Sequence, residues 1–218
     1  MKERGICMTG PMALAVRAGR KTQTRRLIVP QPVFATNGAW HWGYPDRRRI
    51  QCGPRGVSGG SKFPFDAEAI GDYCPWGVAG DLLWVRETYT VVPLDMMARD
   101  HEVRYKADGA TKVLRGGSAS GPEVHIDFAS EAEEYPCEKY GVWRSPRHMY
   151  RWASRILLEI TDVRVELLCC ISREDAQSEG FDSVEDFARL WDTLHRKDGL
   201  IWQTNPWVWV VTFRQISH

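Results

Sequence analysis

Hydrophobic spacing changes period several times along the chain, and each change marks an element. Residues 11–18 read as a short helix. Pro11 suits the first helical position, where its missing N–H would have no partner anyway, and Gly19 suits the residue just past the end, where a positive φ is tolerated. The period then becomes two. In an extended strand, Thr22, Thr24 and Arg26 share one face and Gln23 and Arg25 the other. Residues 80–87 begin as a Gly80-Asp81 turn and become a strand, with Leu83 and Val85 opposite Leu82, Trp84 and Arg86. Residues 156–168 read as one long strand or a hairpin-like pair. Ile156, Leu158 and Ile160 alternate, then Val163, Val165 and Leu167 continue one residue out of phase, so Thr161-Asp162 marks a turn or bulge. Ser172 predicts a helix running to Ser178 with Gly180 as its stop. Ser183 starts a second one, with Phe187, Leu190, Trp191 and Leu194 on one face. After Asn205-Pro206, residues 207–213 are apolar on both faces, the mark of a central strand.

Two stretches lack such a pattern. Residues 30–79 are rich in proline and glycine. Within them Trp40-His41-Trp42-Gly43-Tyr44 alternates like a strand and Arg47-Arg48-Arg49 follows, which suits either stacking on single-stranded nucleic acid or pinning of a long loop. A short strand at 103–106 precedes the other, residues 107–142, which is Gly- and Ser-rich, then acidic at Glu131, Glu133 and Glu134, and reads as a surface excursion. Short strands interleaved with a few helices, in one unit spanning residues 1–218, predict an α+β fold. Lys and Arg total 29 against 28 Asp and Glu, so any basic footprint is local. Met1-Lys2-Glu3-Arg4-Gly5 lacks the apolar run of a signal peptide and no run is long enough to span a bilayer, so a cytoplasmic protein with no membrane partner is expected. None of the six cysteines forms a Cys-x-x-Cys pair, and the irregular spacing of Cys52, Cys74 and Cys137 with His148 favours free thiols over a metal site. No metal or other cofactor is expected.

Two basic clusters carry candidate chemistry. Gly19-Arg20-Lys21-Thr22-Gln23-Thr24-Arg25-Arg26 places four cations and two hydroxyls at the bend between helix and strand. A solvated turn is the common fate of such a run; the alternative is a cationic corner holding a nucleophile. Amide hydrolysis needs a nucleophile, a base and an acid for the leaving amine. Crowding by Arg20, Arg25 and Arg26 favours the neutral form of Lys21, which can then act as base for Thr24, while Arg26 or a backbone N–H holds the oxyanion. In that scheme Lys21→Ala abolishes turnover and leaves the fold intact. Glu179, at the end of its helix, sits unfavourably against the helix dipole, a local conflict of the kind functional positions show. The second cluster, residues 144–155, is an irregular loop entering a strand, since Pro146 blocks a helix at its start. Its guanidiniums with His148, Tyr150 and Trp152 suit either phosphates and bases or ion pairing with the acidic stretch upstream. Arg86 and Glu87 either point into a pocket or form a cross-strand ion pair.

Ala-Gly-Arg-Lys-Thr-x-Thr at 18–24, Gly80-Asp81 before an apolar strand and the apolar strand near the C-terminus together resemble the ASCH domain. The longer runs Gly-Asp-Leu-Leu-Trp-Val-Arg-Glu-Thr (80–88), Arg-His-Met-Tyr-Arg-Trp-Ala-Ser-Arg (147–155) and Asn-Pro-Trp-Val-Trp-Val (205–210) look like a phage or prophage branch of it. The resemblance covers about residues 5–28, 79–106 and 143–215. It implies a PUA-like β-barrel with flanking helices, here with two long loop insertions, and kinship with modules that bind RNA.

One small member of this superfamily is an amidohydrolase that removes the acetyl group of acetylcytidine, and another relative has been described as a ribonuclease. By that resemblance the catalytic Lys, Thr and Glu fall on Lys21, Thr24 and Glu179. The basic clusters offer Arg20, Thr22, Arg26, Arg86, Arg147 and His148 for binding. The partners expected are RNA, single-stranded nucleic acid or a modified nucleoside. The expected function is RNA or nucleoside binding with metal-independent amide hydrolysis on an acylated cytidine-type base. A non-catalytic nucleic-acid module, a ribonuclease and a phage-encoded protein that binds a host factor are the alternatives.

Overall fold

The strand that is apolar on both faces needs a core on each side, and it has them. The computed structural model describes residues 1–34, 40–43, 49–52, 73–94, 100–114 and 141–216. Their largest sheet has five strands in the spatial order β1 (Glu3–Cys7), β6 (Leu82–Arg86), β10 (Leu157–Leu167), β11 (Trp207–Ile216) and β2 (Gln23–Leu27). The β1–β6 pair is parallel and the other three pairs are antiparallel. On one face Trp207, Trp209, Val211 and Phe213 of β11 join Ile6, Leu83, Val85, Leu158 and Ile160, and α1 (Gly10–Arg17) adds Ala13 and Val16. On the other, Val208 and Val210 pack with Ala176 of α2 (Arg173–Ser178) and with Phe187 and Trp191 of α3 (Val184–His195).

The phase change in β10 is a bulge rather than a turn. Ile160 pairs with Phe213 and Asp162 with Thr212, leaving Thr161 unmatched. That one extra residue keeps Val163, Val165 and Leu167 against the same core as Ile160. The helix signals also hold. Ser172 Oγ accepts from Asp175 N at 3.0 Å and Ser183 Oγ from Asp186 N at 3.1 Å. Gly19 has φ +70°, and α1 begins one residue earlier than its proline suggests.

Two smaller sheets depart from expectation. β7 (Tyr89–Pro93), β8 (His101–Tyr105) and β9 (Thr111–Leu114) form an antiparallel meander. Only a strand at 103–106 was expected there, and β9 lies inside the segment read as an excursion from 107. Local pattern is weak in β9, whose exposure merely alternates; pairing with β8 supplies its order. Tyr89, Val91, Val103 and Tyr105 bury against Trp84 and Leu157, on the opposite side from Leu83. The stretch 30–79 likewise contains β3 (Val33–Phe34), β4 (Trp40–Gly43) and β5 (Arg49–Cys52) in one sheet, where only the second was expected. Arg47, Arg48, Glu131, Glu133 and Glu134 lie outside the described residues.

The α+β class stands, with strands predominating among the described residues. Among those residues the five-stranded sheet is open, with β1 and β2 as its outer strands, and no strand pairing closes it into a barrel. It curves nonetheless, because Arg26 of β2 donates from Nη2 to the Cys7 carbonyl of β1 at 2.7 Å.

Asp81 ties the N-terminus to this sheet. Its Oδ1 accepts from Lys2 N at 2.7 Å and its Oδ2 lies 3.2 Å from Arg4 Nη1. The Lys2 N–H, with Val78 N–H and Arg4, holds the carboxyl below its ordinary value against a smaller desolvation effect. A depressed carboxyl stabilises the fold above its unfolded value and loses that contribution as pH falls through the folded one. Asp81→Asn is therefore expected to be less stable than the native protein at pH 7. The gap should close as pH drops below about 3.9, the ordinary aspartate value, in urea midpoints measured across that range.

Candidate active site

The cationic corner is buried, not solvated. After Gly19 the chain turns back on α1, with Arg20 N and Lys21 N both donating to the Ala15 carbonyl at 2.9 and 3.1 Å. Thr22 N then donates to Ser178 O at 2.8 Å, and the Thr22 carbonyl accepts from Phe213 N at 2.9 Å. The corner is thus stitched to the end of α2 and to β11 at once. Lys21 is 1% exposed, Thr24 3% and Glu179 2%.

Lys21 Nζ donates to Glu179 Oε2 at 2.6 Å, to Glu179 O at 2.9 Å and to Gln23 O at 2.8 Å. All three of its protons are engaged. Burial pulls its pKa below the ordinary lysine value; the adjacent Glu179 carboxylate opposes this, and Arg26 and Arg25 add to the lowering. The crowding expected from arginines is real but secondary to desolvation, and Arg20 stands exposed without contributing.

A glycine makes the Lys21–Glu179 contact possible. Gly180 has φ +91°, and a Cβ there would lie 3.2 Å from Ala15 Cβ and 3.5 Å from Lys21 Cβ. It lets α2 end directly against the turn after α1. Gly180→Ala is expected to cost about 1–2 kcal/mol, from left-handed strain alone. A smaller loss by urea denaturation would mean that the loop relaxes at no cost.

Strand alternation divides β2 as expected. Gln23 and Arg25 point toward α2, where Gln23 Oε1 accepts from Arg25 Nη1 at 2.6 Å. Arg25 Nη2 meets Asp175 at 3.0 Å and also pairs with Glu166, and its Nη1 lies 3.5 Å from Glu179 Oε1. Three carboxylates therefore hold this guanidinium behind the site. Arg26 crosses the other face, 5.6 Å from the Trp76 ring centre.

A cavity of about 400 Å³ opens between the β1–α1 junction, β2 and α3. Thr24, Arg25, Arg26, Glu179 and His195 belong to its polar lining, and Met12, Leu190 and Trp191 to the apolar part. This volume is within the usual range for a small-molecule site, roughly 300–1,000 Å³. Lys21 is not among its lining residues and touches one of them, Glu179, at 2.6 Å. Four atoms of lining residues, Arg25 Nε, Arg26 Nε, Glu179 Oε1 and His195 Nδ1, are buried without a hydrogen bond.

The other residues expected at the site lie elsewhere. Arg20 is on the surface, and Thr22 engages through its main chain. Arg86 lies over the Trp84 ring at 4.4 Å, with its Nη1 3.4 Å from the Arg147 carbonyl. Arg147 and His148 are exposed. None of these five lines the cavity, although Pro146, beside Arg147, does. Glu87 faces Arg155 rather than a pocket, fork to fork with both contacts at 2.8 Å, and Arg155 also covers the Tyr105 ring at 3.9 Å. Arg155 and Arg151 of the second cluster thus pair with Glu87, Asp108 and Glu3, while the acidic stretch just upstream lies outside the described residues.

Sequence reasoning missed His195. It ends α3, its ring centre lies 4.4 Å from that of Trp191, and it lines the cavity. Burial lowers its pKa although Asp198 stands 3.6 Å from Nδ1. Its four-residue spacing from Trp191 continues the face already marked by Phe187 and Trp191, and was the available signal.

Comparison with known proteins finds no family model, no curated protein and no solved structure that matches the chain. Among the described residues, no group of three or more His, Cys, Asp or Glu could hold a metal ion, and no helix is long and apolar enough to cross a membrane.

Proposed function

We propose that this protein is an ASCH-type, PUA-like domain that binds a nucleoside and hydrolyses an acyl amide on a cytidine-type base. The observation that carries the reading is a cavity lined by Thr24, Arg26 and Glu179, with Lys21 hydrogen-bonded behind Glu179 at 2.6 Å. The curved sheet, whose two outer strands are bridged by Arg26, supports the barrel-like part of it.

The chemistry follows from the buried pair. Burial pulls the Lys21 pKa down, and passing one proton from Lys21 Nζ to Glu179 Oε2 leaves an amine and a carboxylic acid. The amine takes the Thr24 hydroxyl proton as Oγ bonds to the acyl carbon. Arg26 stabilises the oxyanion. The C–N bond breaks as the Glu179 proton passes to the departing amine. Lys21 and Glu179 are then charged again, and the same transfer activates a water that releases the acyl group as a carboxylic acid and restores Thr24. One amide and one water become one acid and one amine.

One observation favours a second reading, a non-catalytic nucleic-acid reader. Pro146 of the cavity wall leads directly to exposed Arg147, His148 and Tyr150. Incubation with N4-acetylcytidine and, separately, with a short single-stranded RNA distinguishes the two. Mass spectrometry is expected to show cytidine and acetate from the first and an intact strand from the second. Intact nucleoside together with salt-sensitive RNA binding would favour the reader.

A further inference from the structure

Four lining atoms of the cavity are buried without a hydrogen bond, and three of them face an ion-pair partner. Glu179 Oε1 lies 3.5 Å from Arg25 Nη1. Arg25 Nε belongs to a guanidinium shared by Glu166, Asp175 and Glu179. His195 Nδ1 stands 3.6 Å from Asp198 Oδ2. Arg26 is the exception. Its Nη2 donates to the Cys7 carbonyl at 2.7 Å, its guanidinium lies 5.6 Å from the Trp76 ring centre, and its Nε has no acceptor. Both of those partners are neutral. Among the described residues no carboxylate forms an ion pair with it. Burial pulls its pKa below the ordinary arginine value, and Glu179 and Cys7 offset this only in part. Buried charges are paired as a rule, so a desolvated guanidinium that opens on a cavity with no counter-ion describes a site for an anion.

We infer that Arg26 is a subsite for a small, singly charged oxyanion, and that its occupant is the carboxylate released by hydrolysis. The identity of the occupant rests on the hydrolase reading; the subsite itself does not. A carboxylate matches the planar fork of a guanidinium, and Nε is an open donor of that fork. Glu179 lines the same cavity, so a second negative charge on the ligand would stand against it. That disfavours a doubly charged phosphate. In the proposed reaction Arg26 meets an oxyanion developing on the acyl carbon. When water releases the acyl group, the same oxygen shares a full charge. The amine departs first and the carboxylate last, so the carboxylate leaves from the form of the protein that binds substrate. Acetate is therefore a competitive inhibitor of amide hydrolysis.

The test compares acetate with acetamide, which has the same shape and no charge, and with inorganic phosphate. Each is titrated into the native protein at constant ionic strength and followed by NMR chemical shifts. Competition with N4-acetylcytidine turnover is measured by mass spectrometry. Acetate is expected to bind at least about tenfold more tightly than acetamide, the effect of one hydrogen bond between charged groups, and more tightly than phosphate. It is expected to raise the apparent KM and leave kcat unchanged. Arg26→Gln is expected to remove the preference for acetate over acetamide. Because Arg26 also joins β1 to β2, the native comparison decides the matter if that variant fails to fold. Acetate binding no better than acetamide overturns the subsite and leaves the hydrolase reading standing. Phosphate binding as tightly as acetate overturns the carboxylate assignment. A native protein that prefers acetate yet turns over no amide overturns the hydrolase reading and the source of the carboxylate, while the subsite stands.

Discussion

Replacing Lys21 with alanine is expected to lower the unfolding free energy by roughly 3–5 kcal/mol, the usual penalty for breaking a buried ion pair on one side. The reasons are specific. Glu179 is 2% exposed and loses its 2.6 Å partner, while Glu179 O and Gln23 O lose a donor each. Arg25, at 3.5 Å from the other carboxylate oxygen, compensates only in part, because Gln23, Glu166 and Asp175 already share it. The expectation from sequence that this substitution spares the fold does not survive the burial of the lysine. Removing both charges, as Lys21→Met with Glu179→Leu, should cost less than the sum of the single changes, since neither charge is then left alone. Urea denaturation of the two single variants and the double variant measures this, and additive losses would show that the two side chains do not stabilise each other.

Replacing Thr24 with valine is expected to do the reverse: little to stability, much to turnover. Valine fills almost the same volume, and Thr24 is held in the sheet by its main-chain pairing with Val211. Loss of the nucleophile should reduce amide hydrolysis by on the order of 10³-fold or more, with an unfolding midpoint close to that of the native protein. Mass spectrometry of the products beside a urea curve reads both quantities. Thr24→Val retaining more than a tenth of native turnover would exclude Thr24 as nucleophile and leave water activated by the Lys21–Glu179 pair as the attacking group. The two variants together separate a residue that holds the site from one that acts in it.

Much of the large sheet was legible because its strands carry their apolar pattern in themselves. Leu83 and Val85 against Trp84, or Trp209 and Val211 against Val208 and Val210, announce their faces without help from the rest of the chain. The bulge at Thr161-Asp162 was legible for the same reason, since a fixed core demands a fixed phase. β3, β5, β7 and β9 were not, because short strands owe their order to their neighbours more than to their own residues. Within the candidate site, Thr24 and Arg26, which alternation along β2 places on one side, line the cavity together with Arg25 from the other. Alternation could not separate Thr22, whose backbone is tied to Ser178 and Phe213, nor tell that Arg86 lies over Trp84. Charge runs say how many cations are present and nothing about which are buried. Lys21 and Arg25 are inside and Arg20 is outside, and what decides this is the glycine turn together with the carboxylates of α2 and β10, all more than 100 residues away.

The bridge from Arg26 to the Cys7 carbonyl has a consequence for how a ligand enters. Every other junction of the large sheet is a ladder of main-chain bonds, so parting any two paired strands breaks several at once. Between the two outermost strands the described link is one guanidinium, and the cavity lies beside it. The cheapest local opening therefore falls along that seam, where a swing of one side chain widens the way in while the ladders stay whole.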